Sequence, residues 1–358
     1  MKLKATIKTI AALAMLAFSA PAIAGGVSVY DDGDSKLKLG AKVFVDATQK
    51  ETLVDGLTTG RTKGFNLGRA YLTAKYYFNS DWMMRVTTDV NQEQKTATLG
   101  KKTQVFLKYA YLQGKLYGDA VVLRAGVSHN PWIDYEQGLW KHRYFTKVTA
   151  DEFKYDDSAD IGVGLKGKLA DGLVKYWATA VNGGGYSNLA QSNAIDYKAR
   201  VGLYPIKGLT IDFGYNTGFR GMKAFGTAPL KQTMYQAMVT YGTHDFRVGG
   251  NWINNKDKVK KLIEANTYAV WGWAKLGGGF GAVARWEQEK AFAINALTGV
   301  SGNIEQKRTR YVLGADYSPV KHVVVTLGYV DDKTTTAKFT VGKSAETRQV
   351  GLWSQFKY

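Results

Sequence analysis

The chain contains no cysteine, which excludes a disulfide scaffold and thiolate metal sites. Proline is scarce, 5 in 358 residues, against 40 glycines, 22 tyrosines and 9 tryptophans. That balance favours a large β-sheet protein over an α/β enzyme. Beyond residue 24 no uninterrupted apolar run approaches the ~20 residues that a membrane-crossing helix needs, so an α-helical membrane protein is excluded. Histidine is also rare. His129, His142, His244 and His322 are all there are, none beside a compelling serine partner, and no Gly-x-Ser-x-Gly, His-Glu-x-x-His or Walker sequence occurs. A hydrolytic barrel enzyme is therefore the weaker alternative, and no catalytic residue, cofactor or metal is expected.

Lys2, Lys4 and Lys8 precede an apolar run over 11–20, and Ala22-Ile-Ala24 supplies a small-residue cleavage site. Residues 1–24 are thus expected to be a secretory signal peptide, cleaved on export, because the run is too short for a membrane anchor and ends at Pro21. Residues 25–358 are expected to form a single domain.

What fills that domain is alternation. In Leu37-Lys-Leu-Gly-Ala-Lys-Val-Phe-Val45 the apolar residues share one face with lysines opposite, and the terminal Val350-Gly-Leu-Trp-Ser-Gln-Phe-Lys-Tyr358 repeats the theme up to a final aromatic. Sixteen such segments are expected, at 37–45, 70–78, 82–90, 105–116, 121–127, 161–169, 174–181, 197–203, 209–215, 233–241, 246–252, 268–276, 280–287, 311–317, 323–329 and 348–358. A soluble sandwich would also alternate, but its inner faces pack dry. Here the face opposite the apolar one carries thirteen basic residues (Lys38, Lys42, Arg69, Lys75, Arg85, Arg124, Lys166, Lys168, Lys198, Arg200, Arg247, Arg285 and Arg310) and two acids, Asp89 and Asp212. So many charges need water.

The connections alternate too. Short turns such as Asn79-Ser-Asp81, Ala170-Asp-Gly172 and Gly277-Gly-Gly279 separate long polar stretches at 48–64, 91–103, 182–195, 219–232, 254–266, 290–308 and 331–347. Short turns at one end and long loops at the other are the pattern of an outer-membrane barrel. The longest connection, 128–160, falls between the fifth and sixth segments, which for sixteen strands is an outer loop. The fold expected is all-β, a transmembrane antiparallel barrel of about sixteen strands, wide enough to enclose an aqueous lumen.

Gly68-Arg-Ala-Tyr-Leu72, Asp81-Trp82, Asp89, Leu107-Lys-Tyr-Ala-Tyr111 and Leu123-Arg-Ala-Gly126 before a proline-containing loop start resemble the Gram-negative general porins, and the first half is similar to the phosphate-selective porin group. Where those porins commonly read Gln-x-Lys-x-Pro, this chain reads Val127-Ser-His-Asn-Pro131, without the lysine. The resemblance implies a homotrimer, a third outer loop folded into the lumen as an eyelet, and passive diffusion of small hydrophilic solutes and ions across the bacterial outer membrane.

Charge suggests the selectivity. The net formal charge is +18, or +15 without the three signal lysines, and a positively ringed wall concentrates anions. The expected pore-lining basic wall is Arg69, Arg85, Arg124, Lys166, Lys168, Arg200, Arg247, Arg285 and Arg310. The expected constriction loop contributes Asp134, Glu136, Lys141, Arg143, Lys147, Asp151 and Glu152, with Trp132, Tyr135, Trp140, Tyr144 and Phe145 packing it. Expected partners are outer-membrane lipid, lipopolysaccharide and small solutes or anions. Nucleic acid is not expected, because the charge is dispersed along alternating strands with no compact basic module. A purely structural surface protein is the remaining alternative.

Overall fold

The computed structural model describes residues 26–92, 103–191, 194–221, 231–258, 262–294, 303–337 and 343–358. The expected signal peptide and parts of six of the expected outer loops lie outside these residues. The described residues form seventeen strands, beginning with β1 (Val27–Asp31), β2 (Lys36–Val54), β3 (Leu57–Tyr77), β4 (Trp82–Gln92), β5 (Thr103–Tyr117) and β6 (Val121–His129). They continue with β7 (Ala159–Leu169), β8 (Val174–Val181), β9 (Asp196–Leu203), β10 (Leu209–Gly218), β11 (Gln232–Gly242) and β12 (Phe246–Asp257). The last are β13 (Leu262–Gly277), β14 (Phe280–Ile294), β15 (Asn303–Tyr317), β16 (Val323–Ala337) and β17 (Lys343–Lys357).

Strands β2 to β17 each pair antiparallel with the next, and β17 returns to β2 with Val45 opposite Ser354 and Val54 opposite Ala345, which closes a sixteen-stranded barrel. Closure leaves no exposed sheet edge along the seam, the condition for a sheet in lipid. The short β1 is an addition to that ring. It pairs only with residues 36–39 of β2, below the point where the Tyr358 N–H donates to the Ala41 carbonyl.

Outward positions are apolar and bare, for example Leu313 (55% exposed), Leu327 (52%) and Val270 (60%). Their sequence neighbours point to the other face and are buried or paired, as Val312, Arg310 and Thr326 show. This is the period-two signature of a barrel wall, with lipid-facing and inner residues in turn.

The strands are longer than their amphipathic stretches. The expected loop 48–64 is in fact strand, because β2 runs 19 residues and β3 runs 21, and they meet in a two-residue turn at Asp55-Gly56 with positive φ at both. Asp-Gly fits such a turn because it tolerates left-handed backbone at both positions. The expected loops 254–266, 290–308 and 331–347 likewise shrink as β12 to β17 extend into them. Above the apolar band both faces of a strand meet water, so the backbone ladder continues while the side-chain alternation that betrays a strand fades.

Among the described residues two α-helices interrupt the strands, α1 (Pro131–Trp140) and α2 (Thr149–Glu152), both in the connection between β6 and β7. This connection packs on the face of the sheet opposite the apolar band. Trp132, Ile133, Trp140 and Val148 are essentially fully buried, in one cluster with Met234, Met238, Ile253, Trp271, Val312 and Trp353 of β11 to β17. The apolar core of the protein therefore lies between this segment and one arc of the wall.

Candidate functional site: cavities flanking the β6–β7 segment

Proline suits the first turn of α1 because its missing N–H would have no helical partner there. Lys141 ends the helix in the left-handed region, with its N–H donating to the Gln137 carbonyl. Asn130 ties the two ends of the segment together by donating through Nδ2 to the Asp157 carbonyl at 2.6 Å.

The segment is pinned to the wall by charge. Arg285 of β14, which is buried, donates to Glu136 of α1 at 3.0 Å and to the Thr149 hydroxyl, and its Nε lies 2.9 Å from Glu287. Arg310 donates to Glu287 at 2.8 Å and approaches Glu152 at 3.6 Å and Asp332 at 3.5 Å. Glu152 also pairs with Arg308 at 3.2 Å. The Trp132 indole N–H donates to Glu136 at 3.0 Å. Burial pushes the Glu136 carboxyl above its ordinary range, and Arg285 opposes that shift. Farther along, Lys198 pairs with Asp156 at 2.6 Å, and Asn216 donates to the same carboxylate at 3.0 Å.

The turn after α1 is fastened differently. His142 Nε2 lies 2.7 Å from Asp316, and its Nδ1 lies 2.8 Å from the Trp140 carbonyl. The Tyr144 hydroxyl meets Thr326 Oγ1 at 2.6 Å, and Phe145 packs on Trp353. Arg143 and Lys147 both lie 3.4 Å from Asp151. Lys141 sits 4.0 Å over the Trp273 ring.

On the opposite arc the wall cations lack such partners. Lys38 stands opposite Lys75, and Lys75 opposite Arg85, in register across β2, β3 and β4. Like charges directly opposite one another destabilise a sheet, so this row costs stability where it stands. Arg85 donates to Thr87 at 3.0 Å and lies over Tyr109 at 4.7 Å. Arg124 donates to Gln113 at 2.8 Å and approaches His129 at 3.3 Å, while stacking over Tyr111 and Trp177. Lys166 lies 5.4 Å from the Trp177 ring. Among the described residues Lys42, Lys75, Arg85, Arg124 and Lys166 form no ion pair with a carboxylate; the acid facing this arc is Asp134, itself 3.4 Å from His129.

Two cavities flank the segment. One of about 980 Å3 is lined on the basic arc by Lys42, Lys75 and Arg85 and on the segment by Asp134, Gly138 and His142. The other, about 800 Å3, is lined by Arg69, Lys147, Glu152 and Arg310. Both share Phe44, Arg143 and Tyr144, where the Phe44 and Tyr144 rings come within 6.2 Å. These three residues form a waist between the cavities. A third cavity of about 690 Å3 lies beneath α1, between β8 and β12, and has no lining residue in common with the other two.

The nine expected wall residues fall into distinct settings. Arg85, Arg124 and Lys166 share the unpaired arc. Arg69 is held by Asp89 at 2.7 Å, and Arg285 and Arg310 by the carboxylates of the segment and of β14. Arg200, which lies 3.4 Å from Asp212, and Arg247, which donates to Thr240 at 2.9 Å, line the third cavity. Lys168 lies at the short-turn end, 3.5 Å from Asp119. Arg308 and the wall acids Glu289 and Asp332 fall outside the expected segments because β14 to β16 extend past them, whereas Asp316 lies within 311–317 on the polar face. The tie between His142 and Asp316 spans 174 positions and leaves no local signal.

No protein-family model and no curated protein matches this chain. Among solved structures it is similar to in-vitro folded OmpT, an outer membrane protein of Vibrio cholerae, with a TM-score of 0.61 at 13% identity over 92% of this chain and 99% of that one. It is similar to Salmonella typhi OmpF in complex with daunomycin, with a TM-score of 0.60 at 13% identity over 92% and 100%. It is likewise similar to the outer membrane channel DcaP of Acinetobacter baumannii, with a TM-score of 0.60 at 13% identity over 93% and 100%. The closed sixteen-stranded barrel is thus a fold that this chain shares, over nearly its whole length, with bacterial outer-membrane proteins.

Proposed function

We propose that the protein is an outer-membrane porin, a water-filled channel through which small hydrophilic solutes and ions diffuse passively, with a preference for anions. The in-register row Lys38, Lys75 and Arg85 carries this reading, continued by Lys42, Arg124 and Lys166 around the same arc. A row of like charge that costs stability and faces a cavity is best explained by what it attracts. Segment 130–158 narrows the lumen at Phe44, Arg143 and Tyr144, and a solute crossing that waist passes the basic arc on one side and Asp134 on the other. The anion preference is general and not phosphate-specific, in keeping with the missing lysine before Pro131. The protein is not an enzyme, lies in the outer membrane after export by the 1–24 leader, and meets lipid and lipopolysaccharide on its outer faces. It assembles as a homotrimer, a reading supported by similarity to OmpT solved in a trimer form, with a TM-score of 0.56 at 12% identity over 91% of this chain and all of that one.

A weakly selective sieve is the second reading. The ion-paired arginines of β14 and β15 and the position of Asp134 opposite the basic arc favour a transverse field with little ion preference. One measurement separates the two: the reversal potential of the purified protein in a planar bilayer under a tenfold KCl gradient, repeated with Arg85→Ala and Arg124→Ala together. A potential on the anion side that shrinks in the double variant is expected. A potential near zero or on the cation side in the parent gives the sieve, and no stepwise conductance at all removes the channel reading.

A further inference from the structure

The third cavity is separated from the waist by α1. Its wall combines two kinds of surface. Lys175 of β8 lies 3.8 Å over the Tyr204 ring, and the Arg200 guanidinium lies 3.4 Å over Tyr135, whose hydroxyl accepts from Tyr204 at 2.9 Å. Stacking on aromatic faces holds both cations in place; Arg200 is itself buried and spends its N–H groups on the Tyr204 hydroxyl at 3.1 Å and on Asp212, so Lys175 is the one that can meet a ligand. Arg247 adds a third cation, whose guanidinium donates to the Thr240 hydroxyl. One carboxylate stands nearby, Asp212. It is fully buried behind Arg200, so the charge facing the cavity stays positive. Lys207, Gly208 and Thr210 also line the cavity, and the other side chains, Leu139, Pro205, Ile206 and Leu209, are apolar.

We infer that this alcove is a binding site, separate from the conducting path, for a carboxylate- or phosphate-bearing molecule with an apolar body. The size fits, since about 690 Å3 lies within the range of ordinary small-molecule sites. The chemistry fits as well. An anionic head finds Lys175 and Arg247 without displacing an existing carboxylate, and an apolar body covers Leu139 and Ile206. A cation is repelled, and a neutral molecule gains only the apolar contact. The inference is independent of ion selectivity, because Lys175 and Tyr204 line neither of the cavities that meet at the waist.

Photolabelling of the full-length purified protein with 4-azidobenzoate, followed by peptide mass spectrometry, tests the site directly. Label is expected on residues 203–209 and on Tyr135 or Leu139, competed by excess benzoate, at least fivefold weaker with neutral 4-azidobenzyl alcohol, and at least fivefold weaker in Lys175→Gln. The reversal potential of Lys175→Gln should match the parent, which also shows that the variant barrel is intact. Label confined to the Lys75 and Arg85 wall would overturn the inference by placing such anions in the main path alone. Label on lipid-facing residues such as Leu313, or equal labelling by the neutral analogue, would overturn it as mere partitioning of the ring.

Discussion

Asp134 stands where opposing influences on one carboxyl meet. Its side chain is 43% open to the cavity, yet enclosure by protein raises its pKa above the ordinary 3.8, while Arg124, Arg85, Lys166 and Lys42 pull it down. Enclosure prevails, so as pH falls from 7 toward 4 this group takes up its proton before an exposed aspartate would. Neutralising the acid that faces the basic arc strengthens the positive field there. The reversal potential should therefore move further to the anion side on acidification, and Asp134→Asn should sit at that value already and vary less with pH. A shift toward cations at low pH, or a profile unchanged in Asp134→Asn, would contradict the role of Asp134 as the acid facing the basic arc. At this scale the sequence was only partly readable. Arg85 and Arg124 lie mid-strand on the polar face and could be chosen from alternation alone. That Arg285 and Arg310 are neutralised by Glu136 and Glu152, beside Glu287 of β14, could not, because those two carboxylates are brought to them by a connection that folds back across the sheet.

The β6–β7 connection is fixed by its contacts more than by its own helices, since α2 has 4 residues and α1 has 10. Helices this short are marginal alone. Its strongest tie is Arg285, held between two carboxylates. Arg285→Ala leaves Glu136 buried without its cation, while Glu287 keeps Arg310, and the loss is expected to cost about 3–5 kcal/mol. The temperature at which the barrel loses its folded mobility on a gel should fall accordingly, and single-channel conductance should become larger or noisier as α1 loosens. Arg308→Ala removes a more exposed ion pair and should cost about 1 kcal/mol or less. If both variants behaved alike, the segment would be held mainly by its apolar cluster around Trp132 and Trp140. The aromatic residues of this connection could be expected to pack it from their number alone. Which strands they meet depends on closure of the barrel.

Across the whole molecule, the outward apolar band is what places the chain in a bilayer. Leu313→Arg puts a charge in that band, and at mid-membrane depth such a change costs about 2–4 kcal/mol. Urea titration of refolding into lipid vesicles should show this loss for Leu313→Arg and little change for a polar substitution in the β2–β3 hairpin at Thr62, where both faces are exposed. Equal effects would mean that the hairpin also lies in lipid. The strand period, the alternation of short turns with long connections and the basic excess are local or additive properties. The sequence by itself therefore determined the all-β class and the sixteen-strand ring, because both follow from which face a side chain occupies. Strand length above the lipid level escaped it, since alternation disappears where both faces meet water. The tertiary structure alone decided how those charges are distributed. Acids from β14 to β16 and from the β6–β7 segment neutralise one arc of cations, while Lys38, Lys75 and Arg85 remain in register on the other, and the alcove beneath α1 is set apart from both cavities at the waist. The pairings of the β6–β7 segment with β14 and β15 join residues more than a hundred positions apart, and only closure of the sheet brings them within hydrogen-bonding reach.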